Sequence, residues 1–234
     1  MKKTILTGLI ALAASSAVFA QGLVNWATIS PAAMTSVTNS TTYSSFFGGG
    51  AAPGGATGKT LNSGAVGGPS FYWALLYANG VGASAPTTLN GFSSWTGTGL
   101  SATNANSASF LTPIAGNANA SVPWANGITN SIMMVGWSVN LGTNFAGALA
   151  NLQNSSYLSS LVTQAFFGIS TIGNINPALS PAPGVSLFNS TPTAAGTPIN
   201  SLNTTLFLVP VPEPGTMALA GLGGLAMLAL RRKK

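Results

Sequence analysis

The chain has 234 residues, of which 46% are hydrophobic and only 3% are charged, and it contains no Cys and no His. Its one acidic residue is Glu213, and Lys59 is the only charged side chain between Gln21 and Pro212. This composition excludes from the body of the protein disulfide bonds, a carboxylate pair for glycoside hydrolysis, a Ser-His-Asp triad, a His/Cys/carboxylate metal site and a basic surface for nucleic acid, and it predicts no cofactor.

Residues 1–20 have the pattern of a secretory signal peptide. The segment begins with two lysines, continues with an apolar core at 5–14, and ends in the small-x-small tripeptide Val18-Phe19-Ala20. We therefore expect cleavage between Ala20 and Gln21, so that the mature chain begins outside the cytoplasm. A buried N-terminal helix is the alternative interpretation.

Apolar runs bounded by Gly, Pro, Asn and Ser predict several short strands. The run Phe71–Ala78 is apolar on both faces and ends at the turn pair Asn79-Gly80, which indicates a central strand. The other candidate strands are, in chain order, 23–29, 107–114, 132–139, 165–172 and 204–209. Many short strands separated by turn residues favour a β-sandwich over alternating helices and strands.

One helix is predicted between the strands 132–139 and 165–172. From Asn144 to Val162 apolar residues recur at helical spacing, Asn144 is a candidate N-cap, and the break at 154–156 could divide the helix in two. The Gly/Pro/Ser/Thr-rich segments 47–68 and 174–198 are predicted to be loops. The predicted fold class is therefore mainly β: an antiparallel β-sandwich or jelly-roll-like body at 21–209 with one inserted helix.

Two short motifs imitate nucleotide-binding loops. Gly58-Lys59-Thr60 ends like a phosphate-binding loop, but Pro53 stands where that motif needs Gly, and the body has no acidic residue to hold Mg²⁺. The series Gly97-x-Gly99-x-x-Ala102 lacks the acidic partner of a dinucleotide site and is interpreted as a turn. A Ser-Lys dyad through Lys59 would require desolvation of the ammonium group, so Lys59 is interpreted as a solvated loop residue.

Five tryptophans permit a carbohydrate-binding hypothesis. An exposed aromatic face can stack on a sugar ring, and Trp95 and Trp124 lie in Gly/Ser/Asn-rich stretches where exposure is expected. Trp73 and Trp137 lie within apolar strands and are expected in the core. Although packing is the more frequent role of any one Trp, Trp95 and Trp124 are the candidates for glycan stacking.

The C-terminal segment 210–234 has three parts. A Pro-rich motif occupies 211–215, an apolar stretch occupies 215–230, and the chain closes with the basic residues Arg231, Arg232, Lys233 and Lys234. As a transmembrane helix, the stretch 215–230 would span about 24 Å, less than the ~30 Å hydrocarbon core of a bilayer, which suits a temporary anchor. The basic cluster would stop translocation and keep this end on the cytoplasmic side.

This tail resembles the PEP-CTERM sorting signal of Gram-negative bacteria. The motif Val211-Pro212-Glu213-Pro214, followed by the apolar stretch and the basic stop, has the order of that signal. The resemblance implies recognition by an exosortase, a transient stay in the inner membrane, removal of the tail and release to the cell surface or an extracellular polysaccharide matrix. Some family schemes also label this tail as the C-terminal domain of ice-binding proteins. A sortase signal has the same layout, but Leu-Pro-x-Thr-Gly does not occur in the chain.

The middle of the body carries a second resemblance. Gly136-Trp137-Ser138, Leu141-Gly142-Thr143, a helix and then Phe167-Gly168-Ile169-Ser170 are similar to a body found in many PEP-CTERM proteins, especially of Verrucomicrobia-type bacteria. That resemblance implies a strand, a short helix and a strand in a body that runs into the sorting tail. It implies no activity.

Three functions are compatible with these observations. The leading hypothesis is an exported, non-catalytic surface or matrix protein associated with exopolysaccharide, because a body without catalytic groups precedes a sorting tail. The second is a carbohydrate-binding module that uses Trp95 or Trp124. The third is ice binding through a surface rich in Thr, Ser and Ala, although the pairs Thr96-x-Thr98 and Thr191-x-Thr193 are isolated rather than periodic.

Overall fold

The protein is built mainly from β-strands, as predicted. The computed structural model describes residues 21–26, 37–52, 57–60, 71–104, 111–115, 119–189, 191–199 and 204–211. The strands are β1 (Gly22–Asn25), β2 (Val37–Tyr43), β3 (Thr57–Thr60), β4 (Phe71–Ala78), β5 (Thr96–Asn104), β6 (Leu111–Ala115), β7 (Ala120–Val122), β8 (Asn130–Ser138), β9 (Ala165–Ile169), β10 (Gly173–Ile175), β11 (Val185–Ser186), β12 (Gly196–Thr197) and β13 (Thr205–Val209). The described part also contains the helices α1 (Phe145–Leu152) and α2 (Ser155–Ser160) and 3₁₀ turns at Ser45–Phe47, Leu89–Ser94 and Val139–Leu141.

Both predicted terminal segments fall outside the described residues. These segments are the signal peptide at 1–20 and the transmembrane helix at 215–230 with its basic stop at 231–234. Within the described ranges, none of the helices combines the length and the apolar character needed to cross a membrane.

The strands β4 and β8 form the centre of a large sheet with the order β3-β2-β13-β9-β8-β4-β5-β6. They pair antiparallel along their length, from Phe71 opposite Ser138 to Ala78 opposite Ser131. Every residue of β8 is buried, which explains the run of apolar residues and Gly at 132–137. The prediction that Phe71–Ala78 is a central strand is therefore confirmed.

The last strand of the body, β13, is inserted into the interior of this sheet. It pairs antiparallel with β9 on one side and parallel with β2 on the other. Because β2 and β3 reach the rest of the large sheet through β13, the sheet is complete only when the C-terminal strand is in place.

One face of the large sheet packs against a smaller sheet with the order β11-β1-β7. Trp26, which follows β1, is fully buried between them, and its indole Nε1 donates a hydrogen bond to the carbonyl oxygen of Ser101 at 3.1 Å. The two sheets share one apolar cluster, whose buried members include Val24, Trp73, Leu75, Val122, Ile132, Met134, Leu187 and Leu206.

The opposite face of the large sheet is covered by the helices. Asn144 caps α1 and Asn154 caps α2, since their side-chain oxygens accept hydrogen bonds from the backbone N–H groups of Gly147 (2.9 Å) and Tyr157 (3.1 Å). The predicted N-cap and the predicted division of the helix are thus confirmed. The buried cluster on this face includes Leu76, Phe92, Met133, Val135, Trp137, Leu152, Leu158, Phe167 and Val209.

Several predictions of loops and turns are wrong. The predicted loop 47–68 contains β3, which includes Lys59, and the predicted loop 174–198 contains β11, β12 and most of β10. The presumed turn Gly97–Ala102 lies inside β5. β3, β10, β11 and β12 have only two to four residues each, so backbone pairing with a neighbouring strand, rather than their own apolar pattern, makes them strands.

The predicted strand 165–172 is interrupted. β9 ends at Ile169, and pairing with β8 resumes in β10 at Gly173. At the break, the Ser170 N–H donates to the Met134 carbonyl oxygen (2.8 Å), and the Met134 N–H donates to Ser170 Oγ (2.9 Å). The Ser170 hydroxyl therefore replaces one missing backbone acceptor inside the core.

Candidate functional site

The C-terminal tail leaves the body directly from β13. Val209, the last residue of that strand, pairs with Ala165 and is 1% exposed. The next two residues, Pro210 and Val211, are half-buried. Pro210 has no backbone N–H to donate to a neighbouring strand, which accounts for the end of the sheet pairing. The motif at 211–215 therefore starts two residues after the last residue of the sheet.

The ends of five strands lie together at the end of the large sheet where the chain continues into the tail. Leu208 lies opposite Tyr43 at the end of β2, and the Ser44 N–H donates to the Leu208 carbonyl oxygen at 2.8 Å. β9 begins here at Ala165, while β8 ends beside the start of β4, where Ser138 faces Phe71. We call this end of the sheet the exit rim and define it by the side chains Tyr43, Phe71, Val139, Val162 and Phe166.

Side-chain hydrogen bonds fix the segments that form the exit rim. Asn140 Nδ2 donates to the carbonyl oxygens of Thr163 (3.3 Å) and Gln164 (3.2 Å) and to Thr163 Oγ1 (3.0 Å). The Tyr157 hydroxyl donates to the Asn140 carbonyl oxygen at 2.7 Å, and the Phe166 N–H donates to Ser138 Oγ at 2.7 Å. Polar side chains thus satisfy backbone groups that the strands leave unpaired at their ends.

The exit rim exposes apolar side chains that sequence reasoning did not single out. Val162 is 96% exposed and Val139 is 43% exposed. Phe71 and Phe166 are half-buried, with their ring centroids 6.3 Å apart. Val139 and Val162 sit at the end of a predicted strand and a predicted helix, where periodicity predicts burial. Only the pairing register reveals that they lie at the end of the sheet from which the tail emerges.

The expected exposure of Trp95 and Trp124 is wrong. Trp95 is 7% exposed and packs in the cluster beneath the helices, and Trp124 is 6% exposed, with its ring 4.9 Å from that of Tyr77. A sugar ring needs an open aromatic face, which neither side chain offers. The flanking Gly, Ser and Asn residues form short turns that fold each indole back onto a face of the sheet, because burying so large an apolar surface is favourable.

The two tryptophans that lie within strands, Trp73 and Trp137, occupy the core, as predicted. Trp73 is fully buried and Trp137 is 1% exposed, on opposite faces of the large sheet. The indole Nε1 of Trp137 donates to the Gly142 carbonyl oxygen at 2.7 Å, which ties the end of β8 to the start of the helical segment. These contacts give both residues a packing role.

Several buried polar groups of the described residues have a structural role. In those residues there is no cluster of three or more His, Cys, Asp or Glu side chains. The buried hydroxyls of Ser131, Ser138 and Ser170 are hydrogen-bonded to backbone groups. Lys59 lies in β3, which is an edge strand of the large sheet.

The free energy of unfolding of the body is expected to be nearly constant between about pH 4.5 and pH 7. Residues 21–211 contain no Asp, Glu or His, so no side chain has an ordinary pKa in this window. Stability depends on pH only where the folded and unfolded states bind different numbers of protons, so we expect a change below about 0.5 kcal/mol. Denaturant titrations of the 21–211 chain across this range measure it, and a steep slope would contradict this expectation.

Comparison with known proteins identifies the tail. A protein-family model of the PEP-CTERM protein-sorting motif matches residues 210–233, which confirms the resemblance found in the sequence. That motif marks an exported protein that undergoes membrane-associated sorting and processing by an exosortase. No curated protein and no solved structure matches the chain.

Proposed function

We propose that this chain is an exported, non-catalytic surface or extracellular-matrix protein that an exosortase releases from its tail and that associates with exopolysaccharide. One observation carries the proposal: the matched sorting motif at 210–233 directly follows the buried strand β13. A cut within the motif would therefore separate the tail from the body without removing any sheet residue.

The near-absence of charged groups from the body supports a non-catalytic role. General acid–base and metal-assisted chemistry need titratable or metal-binding side chains, and between Gln21 and Pro212 the chain offers only Lys59 and four tyrosines beyond its hydroxyls and amides. Lys59 lies in β3, far along the sheet order from the central strands. We expect the 21–211 chain to bind rather than transform its partner.

Association with exopolysaccharide would use hydrogen bonds rather than charge or tryptophan stacking. The body has almost no net charge, so an anionic glycan would neither attract nor repel it strongly. Ser, Thr and Asn side chains on the exposed strands and turns provide donors and acceptors that suit hydroxyl-rich ligands. The packing of the two sheets around Trp26 supports the β-sandwich arrangement, which would present such a surface on a rigid scaffold.

Replacing the motif with Pro212→Ala, Glu213→Ala and Pro214→Ala together is expected to keep the chain at full length in the membrane fraction of a host that has an exosortase. The motif supplies the residues that distinguish this tail from an ordinary apolar anchor, so its loss should abolish recognition. Immunoblots of the membrane and released fractions measure the outcome.

The matched control for this experiment is Lys59→Ala, which removes the one charge of the body and leaves the tail unchanged. This variant should be shortened and released like the unaltered chain. Release of the triple-alanine variant to the same extent as the control would overturn the proposal, because the motif would then not direct processing.

A further inference from the structure

The covalent link between body and tail is too short to let the body move far from the membrane. If the apolar stretch 215–230 lies in the bilayer, as the proposed function requires, Gly215 is at or near the boundary of the hydrocarbon core. Six peptide units separate the Cα atoms of Val209 and Gly215, and a fully extended chain spans at most about 20 Å over that distance. The polar interface of a bilayer leaflet occupies roughly 5–8 Å of this span.

The same link decides which part of the body faces the membrane. Val209 is held in the sheet between β9 and β2, so the body cannot turn about this residue without breaking strand pairs. The exit rim is the end of the sheet from which the chain leaves, and it is therefore the end held closest to the lipid. The loop after β4 and the turn before β8, with Val81 and Ile128, lie at the opposite end.

The chemistry of the exit rim suits contact with a lipid interface. Val162 and Val139 expose apolar surface, and the half-buried rings of Phe71 and Phe166 add to it. The segments 43–44, 138–140, 161–166 and 208–211 contain no charged residue, so approach to the membrane carries no penalty for desolvating a charge.

Several backbone carbonyl oxygens of the exit rim already accept hydrogen bonds from side chains, which suits a less polar environment. Asn140 satisfies the carbonyl oxygens of Thr163 and Gln164, and Tyr157 satisfies the carbonyl oxygen of Asn140. Carbonyl oxygens that already accept a hydrogen bond lose little when water is displaced, whereas unpaired ones would oppose docking.

We propose that the exit rim is a membrane-docking surface of the unprocessed protein, which rests on the lipid interface through Val162 and Val139 while the tail is anchored. The inference rests on the proposed function, because it needs the tail in the membrane. Removal of the tail ends the tether, and two exposed valines without basic residues are too small a surface to hold the released body there.

Site-specific labelling of the full chain tests the docking surface. The chain has no Cys, so V162C or V81C introduces a unique thiol for an environment-sensitive fluorophore. Val81 is the matched control, since it is 68% exposed and lies at the opposite end of the sheet. Each variant is expressed with its signal peptide in a host that lacks exosortase, and the labelled inner-membrane vesicles are exposed to a spin-labelled lipid and, separately, to aqueous iodide.

At position 162 we expect emission at shorter wavelength than at position 81, stronger quenching by the spin-labelled lipid and weaker quenching by iodide. Equal quenching at the two positions, with the chain in the membrane fraction, would overturn the docking surface and leave the proposed function intact. A chain absent from the membrane fraction would instead contradict the proposed function.

Discussion

A chain that spans 21–204 is expected to lose cooperative folding, whereas a chain that spans 21–211 is expected to keep it. The shorter chain lacks β13, whose residues Leu206, Leu208 and Val209 are 0%, 7% and 1% exposed. Burial of each side chain contributes about 1.5–3 kcal/mol, and β2 also loses its strand partner toward the centre of the sheet. The sum is comparable with the whole net stability of a typical domain, about 5–15 kcal/mol.

Equilibrium denaturation followed by tryptophan fluorescence and near-ultraviolet circular dichroism measures the difference between the two chains. The 21–211 chain should show a single steep transition, and the 21–204 chain should show none. A transition of similar midpoint and slope in both chains would mean that β13 is dispensable. It would also remove the argument that the tail is attached to an essential strand.

The substitution Gly136→Ala is expected to destabilise the body by about 3 kcal/mol, at the upper end of the usual range for overpacking a core. A Cβ atom at this position of β8 would lie under 3.0 Å from three ring atoms of Trp73, Cε3, Cζ3 and Cη2. Trp73 is directly opposite in β4 and is fully buried, so its ring cannot move without disturbing the cluster that both sheets share.

The matched control is Gly97→Ala in β5 of the same sheet, where an added Cβ meets no heavy atom within 4 Å. Its effect on the free energy of unfolding should stay within about 0.5 kcal/mol, as for other surface substitutions. Chemical denaturation of the three chains measures both effects. If Gly136→Ala and Gly97→Ala had equal effects, the close contact between Gly136 and Trp73 would not determine the packing of β4 against β8.

The central part of the fold could be predicted because its residues carry strong local signals. Phe71–Ala78 is apolar on both faces, so only a covered central strand accommodates it. Asn144 and Asn154 precede the helices α1 and α2 and cap them through their own side chains. In these segments local preference and tertiary contacts favour the same structure.

The edge and connecting strands could not be predicted because their signal lies in other parts of the chain. Thr57–Thr60 is polar and Gly-containing, and it is a strand because β2 supplies hydrogen-bond partners. The placement of β13 beside β2 joins segments more than 160 residues apart, from Thr38 to Leu206, and no local pattern specifies such a pair.

The sorting motif could be predicted from the sequence, whereas the exposure of the tryptophans and the position of the exit rim could not. A sorting motif is a short linear pattern, so residues 210–233 could be recognised without a fold. The exposure of Trp95 and Trp124 depends instead on how their turns fold over the sheet, and composition predicted it wrongly. The exit rim depends on strand register, which places Val139 and Val162 at the same end of the sheet as the last residue of β13.

The intact mass of the protein released by an exosortase-containing host tests the central claim most directly. The claim is that the tail is removed while the body keeps all of its strands. We expect a product that begins at Gln21, keeps β13 through Val209 and ends within or close to the motif at 211–215. It should be lighter than the tail-bearing form by about 2 kDa, in proportion to 23.3 kDa for the whole chain. A released product that still carries Arg231 to Lys234, or one that ends before Thr205, would contradict this organisation.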